Sequence, residues 1–511
     1  MSSSSLANIL SGSLWGILAK SIDAIVKFFT IPLLVGFYGK ADYGLIALAF
    51  SLNAYLRLMD MGLNIGSIRY FSMWIMQKEW DKIGKVSRSS IVFYGWIGVL
   101  NAVVFLFIAF YGGSFFKIVP SQLYVFQWMM CTLAASAVFN WASNVIIQFL
   151  TAYGELAWIN KIAVLSSVLN LATVFLAIKC LIPLNYYFLL YILSTLIIIP
   201  LNIYRLKITQ MPILDLIMPV WDGKAFKEIL GYSVAIFAMS LFQFSADNLR
   251  PILLGKYAGK GIEVLTDYRV IQTIASLITA FGGVFLQVLL PSASKIYVNN
   301  DTHKINKLAY NGTRYISIFL SLVVFLLIVN AKVLLVLYMG KSYEELSIWL
   351  IIWLLTVLLS MHNAPIATFV LSSGKTKFLI YSSAISCILS LPITAFFAHK
   401  YNVGSAVMGY FFYIVLQLMC YYCYYIPFEL KLDVKQILFK SFLPGVVVGC
   451  IACLLTYFIG DLIPDLSGFK KLIFQSIAFS LQFGIYLFLF VLKREEISEI
   501  KNKLRPRVGL T

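Results

Sequence analysis

Long apolar runs separated by short polar ones dominate this chain. Counting windows of about 18 or more apolar residues, the length that crosses a bilayer core as a helix, gives about fourteen spans. They lie near 13–36, 43–63, 90–111, 123–149, 158–180, 184–204, 229–254, 268–290, 313–336, 346–370, 377–398, 404–426, 437–460 and 470–492. The longest polar connections are 64–89, 205–228, 291–312 and the tail from Lys493, and none can hold a separate folded domain. The pattern predicts an all-α polytopic membrane protein.

Several spans carry polar residues at helical spacing. In 13–36, Lys20, Asp23 and Lys27 fall within a sector of roughly 60° at about 100° per residue. In the second span Asn53, Arg57, Asp60 and Asn64 follow at steps of four, three and four, the spacing of one helix face. The seventh holds Ser240, Gln243, Asp247 and Arg250, and the fourth holds Asn140, Asn144 and Gln148. Charges in a span cost about 2.5–3.5 kcal/mol each on insertion scales and normally face a bundle interior or a water-filled cavity. Two readings follow. The stripes line a polar cavity, or Lys20–Asp23, Asp23–Lys27, Arg57–Asp60 and Asp247–Arg250 are local ion pairs that join helices.

Composition agrees with the membrane reading. Of 511 residues, 61% are hydrophobic and 12% charged, with mean hydropathy +0.88; a soluble domain carries roughly 25% charged residues. The net charge of +18 reflects basic loops beside anionic lipid, and no nucleic-acid partner is expected. With the N-terminus inside, 25 of the 40 Lys and Arg fall on the cytoplasmic side and 11 on the other. Both termini are therefore expected in the cytoplasm. The four left inside spans, Lys20, Lys27, Arg57 and Arg250, outnumber the acids Asp23, Asp60 and Asp247 by one, with Arg69 and Arg269 near the rims. That margin modestly favours an anionic substrate, since Arg and Lys suit phosphate oxygens.

Other candidates are structural. The N-terminal MSSSSLANILSGSLWG has no basic region or cleavage site, so the first apolar segment is expected to be retained as a span. The pairs Cys420/Cys423 and Cys450/Cys453 differ in membrane depth by roughly 20 Å, which argues against a shared metal. His362, ahead of Pro365, reads as a satisfied histidine at a helix kink rather than a proton relay.

A weak repeat sets the organisation. LTAYGELAWINKIAVLSSVLNL at 150–171 lines up with VLSSGKTKFLIYSSAISCILSL at 370–391, and LLVGFYGKADYG at 33–44 resembles LLGKYAGKGIEVLTDYR at 253–269. An even number of spans separates the copies, so they run in the same direction across the membrane. The expected division is a six-helix lobe at 1–212, a second at 213–428, and two further helices with a basic tail at 429–511. Parallel repeats of this kind place substrate at the interface between lobes.

The run IPLLVGFYGKADYGLIALAFSLNAYLRLMDMGLNIGSIRYFS (31–72) resembles the opening of Wzx-type polysaccharide and O-antigen flippases. Its Pro32, Gly36, Tyr43–Gly44–Leu45, Asp60, Gly62–Leu63 and Arg69 stand where that family has them. LSSGKTKF and YNVGSAVMGY (401–410) are similar to that family's eleventh and twelfth helices. The resemblance implies the multidrug/oligosaccharidyl-lipid/polysaccharide (MOP) exporter fold, in which two MATE-like bundles form a V that opens alternately to each side. It also implies a substrate, an undecaprenyl-pyrophosphate-linked oligosaccharide carried from the cytoplasmic to the outer leaflet of a bacterial inner membrane. A polysaccharide polymerase and a chain-length regulator are the implied partners. No prosthetic group is expected, only coupling to an H+ or Na+ gradient or to the membrane potential. The expected cavity residues are Lys20, Asp23, Lys27, Asn53, Arg57, Asp60, Asn144, Asp247, Arg250 and Arg269. The alternative is a cation-coupled exporter of small molecules on the same fold. A membrane polymerase or glycosyltransferase would want a large outer loop or a D-x-D-type metal site, and the sequence has neither.

Overall fold

The computed structural model describes residues 3–209, 212–279, 302–373, 377–461 and 468–492. Among them there is no strand. The helices of the first half are α1 (Ser3–Tyr38), α2 (Lys40–Leu56), α3 (Leu63–Gln77), α4 (Trp80–Phe115), α5 (Pro120–Tyr153), α6 (Leu156–Lys179), α7 (Leu184–Leu196), α8 (Ile198–Arg205), α9 (Ile213–Ile217), α10 (Gly223–Tyr257) and α11 (263–279). The second half has α12 (Thr302–Val329), α13 (Ala331–Met339), α14 (Ser347–Met361), α15 (Ala364–Ser373), α16 (Lys377–Tyr401), α17 (Val403–Cys420), α18 (Leu443–Asp461) and α19 (Gly468–Tyr486). Wider π-helical turns follow α17, precede α18 and follow α19, at Tyr421–Glu429, Gln436–Phe442 and Leu487–Val491.

Ten stretches among the described residues are long and apolar enough to cross a membrane. Four predicted spans are not among them: α1, the α2–α3 pair, α10 and α11, and these carry the charged positions 20–27, 57–69, 247–250 and 267–269. In lipid every backbone polar group must be satisfied within the protein, and helices do this by themselves. The surface is inverted to match, with large apolar side chains such as Trp96, Phe107, Phe110 and Phe396 outward.

The helix ends follow local chemistry. Gly39, at φ +90°, makes the turn between α1 and α2. Pro120 opens α5 where no amide partner is needed. Asp222 caps α10, its Oδ1 accepting from the amides of Lys224 and Ala225 at 3.1 Å each.

Several expectations change. The second span is not one helix. It stops at Leu56, passes through a 3-10 turn at Arg57–Asp60 and two left-handed residues, Met61 (φ 50°) and Gly62 (φ 72°), and restarts as α3. Asn53, Arg57, Asp60 and Asn64 therefore do not share one helix face. Much of the predicted connection 64–89 is helical, because α3 runs to Gln77 and α4 begins at Trp80. The span at 346–370 breaks at His362 and Asn363. The end of the span at 268–290, the first half of the connection 291–312, Gly374 of the repeat and the basic tail lie outside the described residues.

The chain divides into two compact units, Met1–Ala280 with Lys377–Tyr413, and Phe281–Thr376 with Ile414–Thr511. In the first unit α4 packs along α5, α1 along α6, and α10 against α2, α3, α4 and α16. Its core holds Phe71, Trp74, Tyr94, Trp141 and Phe149. In the second unit α12 packs on α18, where a Cβ at Gly445 would meet the Ile318 backbone at 3.0 Å. There His362 is buried, with Nδ1 donating to the Leu359 carbonyl (2.6 Å) and Nε2 accepting from the Tyr422 hydroxyl (2.8 Å). This fixes one neutral tautomer and matches the reading of a satisfied histidine at a break.

Candidate functional site

All ten candidate residues lie in the first unit. On α1, the glycine side packs on α6: Asn160 donates to the Gly12 carbonyl at 3.0 Å, and a Cβ on Gly16 would sit 3.2 Å from the same amide. Lys20 and Lys27 are exposed and Asp23 half-buried. Lys27 pairs with Asp23 at 2.7 Å, so that pair is largely self-neutralising. Among the described residues Lys20 has no ion-pair partner.

Arg57 begins the 3-10 turn after α2, exposed and without a partner among the described residues. The expected Arg57–Asp60 and Lys20–Asp23 pairs do not form. Tyr191 of α7 lies within electrostatic reach of both Asp23 and Arg57, and its ring contacts Phe50 at 5.0 Å. The α1 and α2 stripes thus meet over an aromatic floor.

Asp60 is tied into the protein instead. It accepts from the Tyr94 hydroxyl (2.5 Å) and from the Asn64 amide (3.1 Å), and Gln148 donates to the Tyr94 oxygen at 2.8 Å. The carboxylate caps the start of α3 and fixes the break. Close packing at the same place explains the glycine: a Cβ on Gly62 would run into the Ser233 carbonyl of α10 and stand 3.0 Å from the Phe237 amide. Asn53 and Asn144 are half-buried, and their side-chain amides have no hydrogen-bond partner among the described residues.

On α10, Asp247 is half-exposed while Arg250 is only 3% exposed at its side chain. Nη1 of Arg250 donates to Asp247 at 3.3 Å, and the guanidinium lies over Tyr410 (5.1 Å) and Tyr413 (5.5 Å) of α17. Its Nε and Nη2 are buried with no acceptor. Pro251 follows, removing the amide that would bond the Asp247 carbonyl.

Arg269 is a tie between helices. It donates to Ser51 at 2.8 Å, to the Ala47 carbonyl at 3.5 Å and to Gln272 at 2.7 Å. Nearby, Lys40 pairs with buried Asp267 at 2.6 Å, Thr266 donates to the Lys40 carbonyl at 2.7 Å, and a Cβ on Gly44 would stand 2.6 Å from the Ile262 carbonyl.

The ten candidates thus separate. Among the described residues Lys20, Arg57 and two donors of Arg250 have no acceptor, the Asn53 and Asn144 side chains have no partner, and Asp247 accepts only from Arg250. Asp60 and Arg269 hold helices together, and Asp23 with Lys27 satisfy each other. Among the described residues no ion pair joins the α1, α2 and α10 stripes. Sequence reasoning missed Tyr94, Tyr191, Tyr410, Tyr413 and Asp267. Only Gln148, at its helical spacing with Asn140 and Asn144, was flagged, without its partner.

A helical bundle with cationic groups set in apolar spans matches a known family. A model of the polysaccharide biosynthesis protein family covers residues 33–348. The chain belongs to that family. No curated protein matches the sequence. Among solved structures, "Lipid II flippase MurJ, inward closed conformation" is similar at TM-score 0.73 and 14% identity, covering 93% of this chain and 98% of that one. An inward-facing multidrug resistance MATE transporter of the MOP superfamily is similar at TM-score 0.63 and 14% identity, covering 86% and 98%. A eukaryotic MATE transporter follows at TM-score 0.55 and 12% identity, covering 86% and 98%. This polysaccharide biosynthesis family member therefore shares the fold of the MOP-superfamily structures and is a multi-pass membrane protein, and the similar solved structures are named as a flippase and as transporters.

Proposed function

We propose that the protein is a flippase carrying an undecaprenyl-pyrophosphate-linked oligosaccharide, a repeat unit of O-antigen, capsule or exopolysaccharide, from the cytoplasmic to the outer leaflet. The observation that carries this reading is the pair of unpartnered cations, Lys20 and Arg57, on helices that pack together. A cation kept in a span without a carboxylate is costly, and an anionic substrate group relieves that cost. Arg57 offers a planar fork for a pyrophosphate and Lys20 a point charge beside it. Asn53 and Asn144 supply neutral donors and acceptors of the kind sugar hydroxyls need. Arg250, with two spare donors, takes the anion at a second position, and the polar face opens to one side and then the other. In this reading the protein lies in a bacterial inner membrane with both termini cytoplasmic. An H+ or Na+ gradient or the membrane potential drives turnover, and a polymerase and chain-length regulator take the product.

Replacing Lys20 and Arg57 by Ala in a strain lacking its own flippase tests this. Surface polysaccharide should vanish while the protein still inserts at normal level, and normal polymer in the variants would contradict the assignment.

A cation-coupled exporter of small molecules is the second reading, favoured by the half-exposed Asp247 carboxylate. It expects drug resistance on overexpression without any change in surface glycan.

A further inference from the structure

Away from the polar stripes, the N-terminal ends of α4 and α10 flank an open cavity of about 600 Å³ lined by Lys85, Arg88, Val220, Trp221, Asp222, Gly223 and Lys224. These residues directly precede the spans that begin near 90 and 229, which puts the cavity at a membrane boundary. Its walls are held firmly. Ser87 donates to the Leu216 carbonyl at 2.7 Å, and Ser89 accepts from the Asp222 amide at 2.8 Å, clamping the connector 213–222 onto α4. Trp221 packs on Phe226 at 5.1 Å, and Phe226 on Phe93 at 5.0 Å.

The charges are unevenly used. Lys85 pairs with Asp81 at 2.7 Å, a hydrogen bond that pushes its pKa above the ordinary lysine value. Among the described residues Arg88 spends only Nε, on the Gly84 carbonyl at 3.3 Å. Lys224 is exposed, with no ion-pair partner among the described residues. Asp222 is committed to the first amides of α10, so the helix end is already satisfied by the protein. Two cations, Arg88 and Lys224, thus face the cavity with donors to spare. Beside them the connector exposes Leu214, Met218, Val220 and Trp221. Apolar and aromatic side chains next to bare cations at this depth are the chemistry of an interfacial lipid contact, with chains against the apolar residues and a phosphate against the bases.

We propose that this cavity binds the phosphate headgroup of an anionic phospholipid, held by Arg88 and Lys224 with Val220 and Trp221 against its acyl region. The contact anchors the 213–222 connector to the bilayer and does not depend on the substrate assigned above. A free phosphate ion would use the same cations but gain nothing from the apolar rim.

Native mass spectrometry of the full-length protein in detergent tests it, with phosphatidylglycerol or phosphatidylcholine added in turn. The wild type should prefer phosphatidylglycerol at its tightest position. R88Q/K224Q should lose about thirtyfold of that preference, at about fivefold per basic residue near an anionic surface. The exposed K224Q alone, which leaves every described contact intact, should lose about fivefold. W221S should weaken retention of either lipid, and removing two charges elsewhere, K431Q/K435Q, should leave the preference unchanged. Undiminished preference in K224Q and in R88Q/K224Q overturns the proposal. So does an equal loss in K431Q/K435Q, or displacement of the lipid by inorganic phosphate at matching concentration.

Discussion

Replacing Arg250 by Met separates a structural role of this side chain from the anion-binding role proposed for it. The side chain is nearly fully buried, so a residue of similar length refills its volume. What is lost is cation–π contact with Tyr410 and Tyr413, about 0.5–2 kcal/mol per ring. The 3.3 Å pair with Asp247 adds only about 0–1 kcal/mol, because that carboxylate is half-exposed and remains hydrated without its partner. What is gained is relief of Nε and Nη2, two buried donors without acceptors, at about 1–3 kcal/mol each. The two sides cancel to within about 2 kcal/mol. Thermal unfolding of purified R250M, followed by tryptophan fluorescence, should therefore stay close to the wild type. Transport should fall by about ten- to hundredfold, the worth of one charge-assisted hydrogen bond to an anion. Destabilisation beyond about 4 kcal/mol, the cost of breaking a buried structural pair, would show that Arg250 is a strut. Undiminished transport in a stable R250M would remove it from the substrate path.

Four further variants test the frame that holds the site. G62A places a Cβ against the Ser233 carbonyl at a left-handed residue, and should cost about 2–4 kcal/mol and loosen α3 from α10. G36A, which meets nothing within 4 Å, should unfold at or slightly above the wild-type temperature. K40A leaves the buried Asp267 carboxylate, 3% exposed, without its cation and should cost about 3–5 kcal/mol in thermal or denaturant unfolding. K40M/D267L should recover most of that loss, since no charge is then left unpaired.

The spans were legible because lipid imposes one long-window rule on every membrane helix, and the polar stripes because they violate it. The break after Leu56 was not. Met61 is an ordinary residue in a left-handed conformation, and what holds it there is Tyr94, Gln148 and the Ser233 backbone, none of them near in sequence. Spacing alone therefore joined Arg57 and Asp60 into one stripe, although one of them points to solvent and the other into the protein. The same limit hid the tyrosines around Arg250, which come from α17 some 160 residues onward. A tyrosine in an apolar span carries no periodic signal. Arg269 shows the converse: its charge suggested a cavity rim, but its donors close onto Ser51 and Ala47, which only the fold brings near.

In the proposed function, Lys20 and Arg57, which lack acceptors among the described residues, move a pyrophosphate-linked glycan across the bilayer. The most direct test is leaflet exchange in proteoliposomes loaded with a fluorescent polyprenyl-pyrophosphate oligosaccharide, using an impermeant quencher to read the outer leaflet. Wild-type vesicles should let the inner pool become quenched, and vesicles holding folded R57A should retain it. Quenching no faster than in protein-free vesicles, or R57A exchanging at the wild-type rate, would contradict the account.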